Sequence, residues 1–112
     1  MAASSTNTLV LSVIATAALT QFRGATVAGA VPAVNTTALG IAQNSGAIGD
    51  AVPVVALGTA IGEAGAAIAA GAQLGYDASG RVVTYSTGPV IGRALTAAGV
   101  AGDQVEVFLI PN

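Results

Sequence analysis

The 112-residue chain contains no cysteine, histidine, lysine or tryptophan. Without cysteine there is neither a disulfide framework nor thiol chemistry. Without histidine, Ser-His-acid triads, Cys–His pairs and the usual zinc sites are excluded. Without lysine there is no Schiff base and no phosphate contact of the P-loop kind. Charge of either sign is scarce, with three arginines against five acidic residues and a net charge of −2. Arg23, Arg81 and Arg93 are scattered along the chain, whereas a phosphate-binding surface needs clustered cations. Nucleic acid is therefore not an expected direct partner.

Long apolar runs are missing too. The stretch LVLSVIATAAL (9–19) is too short for a transmembrane helix, and MAASSTNT (1–8) has no basic residue, which counts against a secretory signal. The mean hydropathy of +0.79 comes from dispersed alanine and valine broken by glycine, so no membrane partner is expected.

What is abundant is small. Alanine and glycine make up 41 of the 112 residues, and only four are Phe or Tyr. Small side chains bury little apolar area, at about 25 cal/mol per Å², and glycine costs backbone entropy on folding. Such a chain has either a thin, closely spaced core or stability drawn partly from partner subunits.

Along the chain, short β-branched runs alternate with turn residues. LVLSVI (9–14) reads as a strand or as an arm lying across a neighbouring subunit. ATVAGAV (25–31) and ALGIAQ (38–43) read as short strands, and AVPVVALGTAI (51–61) as a longer one. There Pro53 marks an edge or irregular position, because it cannot donate to a ladder. GEAGAAIAAGAQLGY (62–76) has apolar spacing that permits a helix, but its glycines each cost about 1 kcal/mol in a helix interior. A bend with short strands is preferred. DASG (77–80) is a tight turn, with Asp77 bonding its own backbone and Gly80 at positive φ.

RVVTYS (81–86) and VIGRAL (90–95) follow as strands around the turn TGP (87–89). The last strand, QVEVFLI (104–110), puts Val105, Val107 and Leu109 on one face. Its other face mixes Glu106 with apolar Phe108 and Ile110, as expected where another element or subunit covers part of it. The whole reads as all-β, a compact antiparallel barrel or sandwich with an extended N-terminal arm. The expected division is an arm over 1–24 and a β-rich domain over 25–112, with residues 1–8 mobile.

The inventory for chemistry is poor. No G-x-G-x-x-G occurs, and the glycines of GTAIGEAG (58–65) read as turns or close packing. Asp103 and Glu106 differ by three, so a regular strand sends them to opposite faces and not into one acid–base pair. Asp50 and Asp103 read as turn caps. DASG is a weak calcium ligand set, and NTT (35–37) matches a glycosylation acceptor only formally. No catalytic residue, cofactor or metal site is expected. Arg81 and Arg93 each begin or interrupt an apolar strand. They are either surface charges lying on apolar neighbours or partners in an intersubunit contact. Phe22 and Arg23 form the same kind of candidate at the end of the arm.

Taken in order, GIA (40–42), GDAVPVVALG (49–58), AGAAIAAGAQLGYDASGRVV (64–83), VIGRAL (90–95) and GDQVEVFLI (102–110) resemble the tailed-phage capsid cement, or head decoration, family. LVLSVIATAALTQFRGATVAG (9–29) is similar to that family's opening segment. The resemblance implies a β-rich accessory protein on the outer surface of the virion capsid. It implies a homotrimer that binds the major capsid protein, bridges its subunits and resists DNA pressure, and it carries over no catalytic residue. Candidate interface residues are Leu9, Leu11, Val13, Phe22, Arg23, Arg81 and Arg93. The rival readings are a tail or baseplate component, a small adhesion module with an aromatic-lined groove, and an acid-only hydrolase with two converging carboxylates.

Overall fold

A computed structural model describes residues 6–110, so much of the expected mobile segment, residues 1–5, lies outside the described residues, as do 111–112. Within them eight strands form one sheet, every pairing antiparallel: β1 (Asn7–Ile14), β2 (Gly24–Ala25), β3 (Gly40–Ala42), β4 (Ala51–Glu63), β5 (Gln73–Tyr76), β6 (Val82–Thr84), β7 (Gly92–Ala94) and β8 (Gln104–Leu109). Their order is β2-β3-β4-β8-β7-β5-β6, with β1 also paired to β4. A parallel bridge joins Ala64 to Val82, and the Gly65 N–H donates to the Val82 carbonyl at 2.8 Å. This returns β6 to the end of β4, so β4, β8, β7, β5 and β6 nearly close into a barrel. The first strand lies outside that ring as an arm. The all-β barrel reading holds.

The spine is β4, whose β-branched Val52, Val54 and Val55 suit a strand buried on both faces. Its first half pairs with β1 from Ala51 to Gly58 and with β3 at Val54 and Val55, and its second half pairs with β8 from Gly58 to Glu63. The changeover is at Gly58, which has φ +96°, and a Cβ there would lie 2.5 Å from the Thr6 carbonyl oxygen. Only glycine fits that approach. Pro53, expected at an edge or irregular position, instead keeps regular register within β4 because its missing donor falls where β3 has already ended. It faces Ser12 of β1, and its carbonyl accepts the Gln43 N–H just past the end of β3, where no donor is returned.

The turns follow the sequence closely. Asp77 Oδ1 accepts the N–H groups of Ser79 and Arg81, each at 2.9 Å, and Gly80 sits at φ +79°. Asp103 Oδ2 accepts the Gly99 N–H at 2.9 Å. Of the strand expected over 25–31 only Ala25 is in a strand, as the second residue of β2. Thr26 instead closes a tight loop, its carbonyl accepting from Gly29 and its hydroxyl from Ala30. The segment 62–76 forms the end of β4, a bend and β5, with no helix.

Two apolar clusters make the core. One fills the barrel with Leu74, Tyr76, Val82, Ile91, Val105, Val107 and Leu109, together with small Ala60, Ala64, Ala94 and Ala98. The other packs Val13, Leu19, Ala42, Val52 and Val54 beneath the arm. Tyr76 is the largest fully buried side chain. Its hydroxyl donates to the Gly40 carbonyl at 3.3 Å, and burial pushes its pKa up. Gly24 makes room for the ring, since a Cβ there would lie 2.6 Å from Tyr76 Cε1.

Candidate binding surfaces

The arm presents apolar side chains on both faces. Leu9, Leu11 and Val13 alternate along one of them. Val13 turns into the second core cluster, while Leu9 and Leu11 continue the same stripe into solvent. On the opposite face Val10 is exposed and Ile14 is 60% exposed. Leu9 and Leu11 line a shallow groove of about 310 Å³ with Val27, Ala38, Leu39, Ala56 and Leu57. No charged side chain enters this lining, and Val27 is 77% exposed. Among the described residues β1 pairs with β4 alone. Its other backbone edge carries none of the charge, proline or bulge protection that usually blunts an edge strand, apart from register shifts near Leu9.

Phe22 is built into the barrel wall. Its φ of +69° is strained for a bulky residue. The strain is held by its N–H donating to Ala42 O at 2.9 Å and its carbonyl accepting the Glu63 N–H at 2.8 Å. The half-buried ring lines a cleft of about 100 Å³ with Ile41, Val55 and Ile61.

The arginines divide. Arg23 makes a two-pronged contact with Glu63, Nε to Oε1 at 3.1 Å and Nη2 to Oε2 at 3.2 Å. Arg81 Nη1 stands 3.9 Å from the same carboxylate, while its Nε reaches Asp77 Oδ2 at 3.2 Å. These four half-buried side chains form a neutral cluster inside one chain, joining the segment after β1 to the end of β4 and the β5–β6 turn. The alternatives for these two arginines were surface charge or an intersubunit contact, and Glu63 as their shared partner had no local signal. Arg93 stands apart as the exposed residue of β7, with Nη1 donating to the Gly71 carbonyl at 3.2 Å. It lies across from Phe108, which is 47% exposed. Phe108 is hinted at by the mixed face of the last strand and Val27 by its place in the opening segment that resembles the family's, whereas Leu39 and Leu57 carry no mark in the sequence.

The carboxylates are structural. Asp50 accepts the Ala47 N–H at 2.9 Å, Asp103 caps its turn, Glu63 and Asp77 hold arginines, and Glu106 is buried. Among the described residues no group of three or more acidic, His or Cys side chains could hold a metal ion, and no helix is long and apolar enough to cross a membrane.

A small antiparallel barrel with a charge-free apolar strand laid on its outside defines the class of β-barrel that the chain represents. Residues 3–109 match the family model described as phage cement protein, and the chain belongs to that family. It is a non-enzymatic structural protein associated with the phage capsid, located on the outer surface of the virion. A solved structure of similar fold is the N base of the head fiber gp8.5 of bacteriophage phi29. It is 22% identical with a TM-score of 0.75, and the match covers 91% of this chain and 93% of that one. No curated protein matches the chain.

Proposed function

We propose that the protein docks on the expanded phage head as a homotrimer, bridges neighbouring major capsid subunits and stiffens the shell against the pressure of packaged DNA. The observation that carries this reading is the arm: a strand with apolar side chains on both faces, largely exposed, whose second edge is unpaired among the described residues. A strand of that pattern is normally covered on both sides, and an exposed apolar patch beside it marks a contact surface. Leu9 and Leu11 with Val27, Leu39 and Leu57 supply one such contact. Several modest contacts to different neighbours add up through multivalency, and a trimer multiplies each of them by three. Family membership and the fold shared with a head-fiber base support the reading.

The test is add-back to heads lacking this protein, followed by cryo-electron microscopy and an osmotic-shock assay of DNA retention. Density outside the shell, grouped in threes over capsomer junctions, is expected, together with improved retention. Leu9→Asp with Leu11→Asp should abolish both while leaving the barrel folded. Density in the tail or baseplate, or no binding to heads, overturns the reading.

A further inference from the structure

Arg93 is the one arginine with no carboxylate at ion-pair distance among the described residues. Its single hydrogen bond to Gly71 leaves most of the guanidinium's five N–H donors facing outward. It sits on the outer face of the barrel, across from Phe108 on β8 and Gln73 on β5. Together with Val90 and Ile110 these residues line a groove of about 220 Å³. Phe108 turns outward because its neighbours Val107 and Leu109 fill the barrel. Exposed arginine and aromatic side chains are enriched at interfaces, where a planar guanidinium takes a carboxylate in two-pronged fashion.

The geometry points to this groove as the seat of a capsid-subunit segment that carries an aspartate or glutamate flanked by apolar residues. The carboxylate pairs with Arg93, and the flanking side chains cover Phe108 and Ile110. Charge complementarity selects a different protein over a second copy of this chain. Of its own side-chain carboxylates, Glu63 and Asp77 hold arginines and Glu106 is buried, while Asp50 and Asp103, though exposed, each bind N–H groups of their own turn through one oxygen. Among the described residues Arg93 is thus the cation left to meet a foreign anion. The inference rests on the head-docking reading above and adds the face used and the chemistry it recognises.

The experiment measures binding of the full-length wild-type protein, Arg93→Gln, Arg93→Lys and Phe108→Ser to heads stripped of this protein, between 50 and 500 mM salt (roughly 14 to 4 Å in Debye length). Self-association is followed in parallel by sedimentation. Arg93→Gln and Phe108→Ser should each weaken head binding about tenfold or more, with unchanged circular dichroism and self-association. Salt should weaken wild-type binding and leave Arg93→Gln almost unaffected, while Arg93→Lys should recover part of the affinity and the salt dependence. Wild-type affinity in Arg93→Gln overturns this inference alone. Loss of self-association in place of head binding assigns the groove to a second copy and overturns it as well. Failure of the wild type to bind heads overturns the docking reading and this inference with it.

Discussion

Glu63 is the shared partner of two arginines, and replacing it with glutamine tests whether that cluster serves the single chain or an interface. Glu63→Gln preserves shape and removes one negative charge. Arg81 keeps Asp77 at 3.2 Å, so the loss falls mainly on Arg23, whose two contacts of 3.1 and 3.2 Å go to Glu63. Fully exposed pairs contribute about 0–1 kcal/mol, whereas breaking a buried pair costs about 3–5 kcal/mol. The side chains here are 29% and 21% exposed, between those limits, so the expected loss is about 2 kcal/mol. With an unfolding entropy of about 2.1 cal/mol/K per residue, a chain of 112 residues should melt roughly 8 °C lower. Urea unfolding at pH 7 should show a lower midpoint with an unchanged slope. The deficit should shrink at 1 M salt, where the screening length falls to about 3 Å. In the double-mutant cycle with Arg23→Gln, the double variant should be about 1–2 kcal/mol more stable than the sum of the singles predicts. A variant within about 0.5 kcal/mol of wild type, or a cycle with no coupling, refutes the reasoning. A deficit that grows on dilution of the protein would move the ion pair to an interface between chains.

Two further predictions concern the core. Gly24→Ala places a methyl 2.6 Å from Tyr76 Cε1 and 3.0 Å from Pro32 Cγ, both in fully buried side chains. It should cost about 1–3 kcal/mol, and Tyr76→Leu in the same background should cost less than it does alone. Additive losses in denaturant unfolding would show that the ring does not set the limit. Because burial raises the Tyr76 pKa, the unfolded chain releases that proton first. It binds fewer protons than the folded chain above about pH 10, so stability falls as pH rises from there. The one-site slope approaches about 1.4 kcal/mol per pH unit. In alkaline melts Tyr76→Phe should remove that share of the slope, and an unchanged slope would contradict the burial of the hydroxyl.

The turns were legible because single residues write them. Asp77 with Gly80, and Asp103 before the last strand, act within four positions of their partners. The alternation of Val105, Val107 and Leu109 was equally local, and all three line the barrel. The segment 25–31 departs from its strand expectation because Thr26 and Gly29 form a loop that β-propensity conceals. What the chain order hides is pairing at a distance. Arg23 and Glu63 are 40 positions apart, and no local pattern marks Glu63 as the carboxylate that Arg23 and Arg81 share. Likewise the apolar lining of the outer groove comes from β1, the loop around Val27, Leu39 before β3, and β4. Leu9 and Leu11 were identifiable as candidates from their strand alone, whereas Val27 and Leu57 join them only once β1 lies against β4.

The way β1 lies on β4 also governs how a load travels through the molecule. Their ladder runs through seven residue pairs from Asn7–Gly58 to Ile14–Ala51. A pull along the strand strains these rungs together, whereas a pull across it opens them one at a time. The same β4 carries β8 on its second half, so tension entering lengthwise through the arm passes by backbone into the barrel wall. Under the proposed docking, a molecule gripped by this strand resists sliding far better than peeling, and the direction of the load relative to β1 decides which of the two it meets.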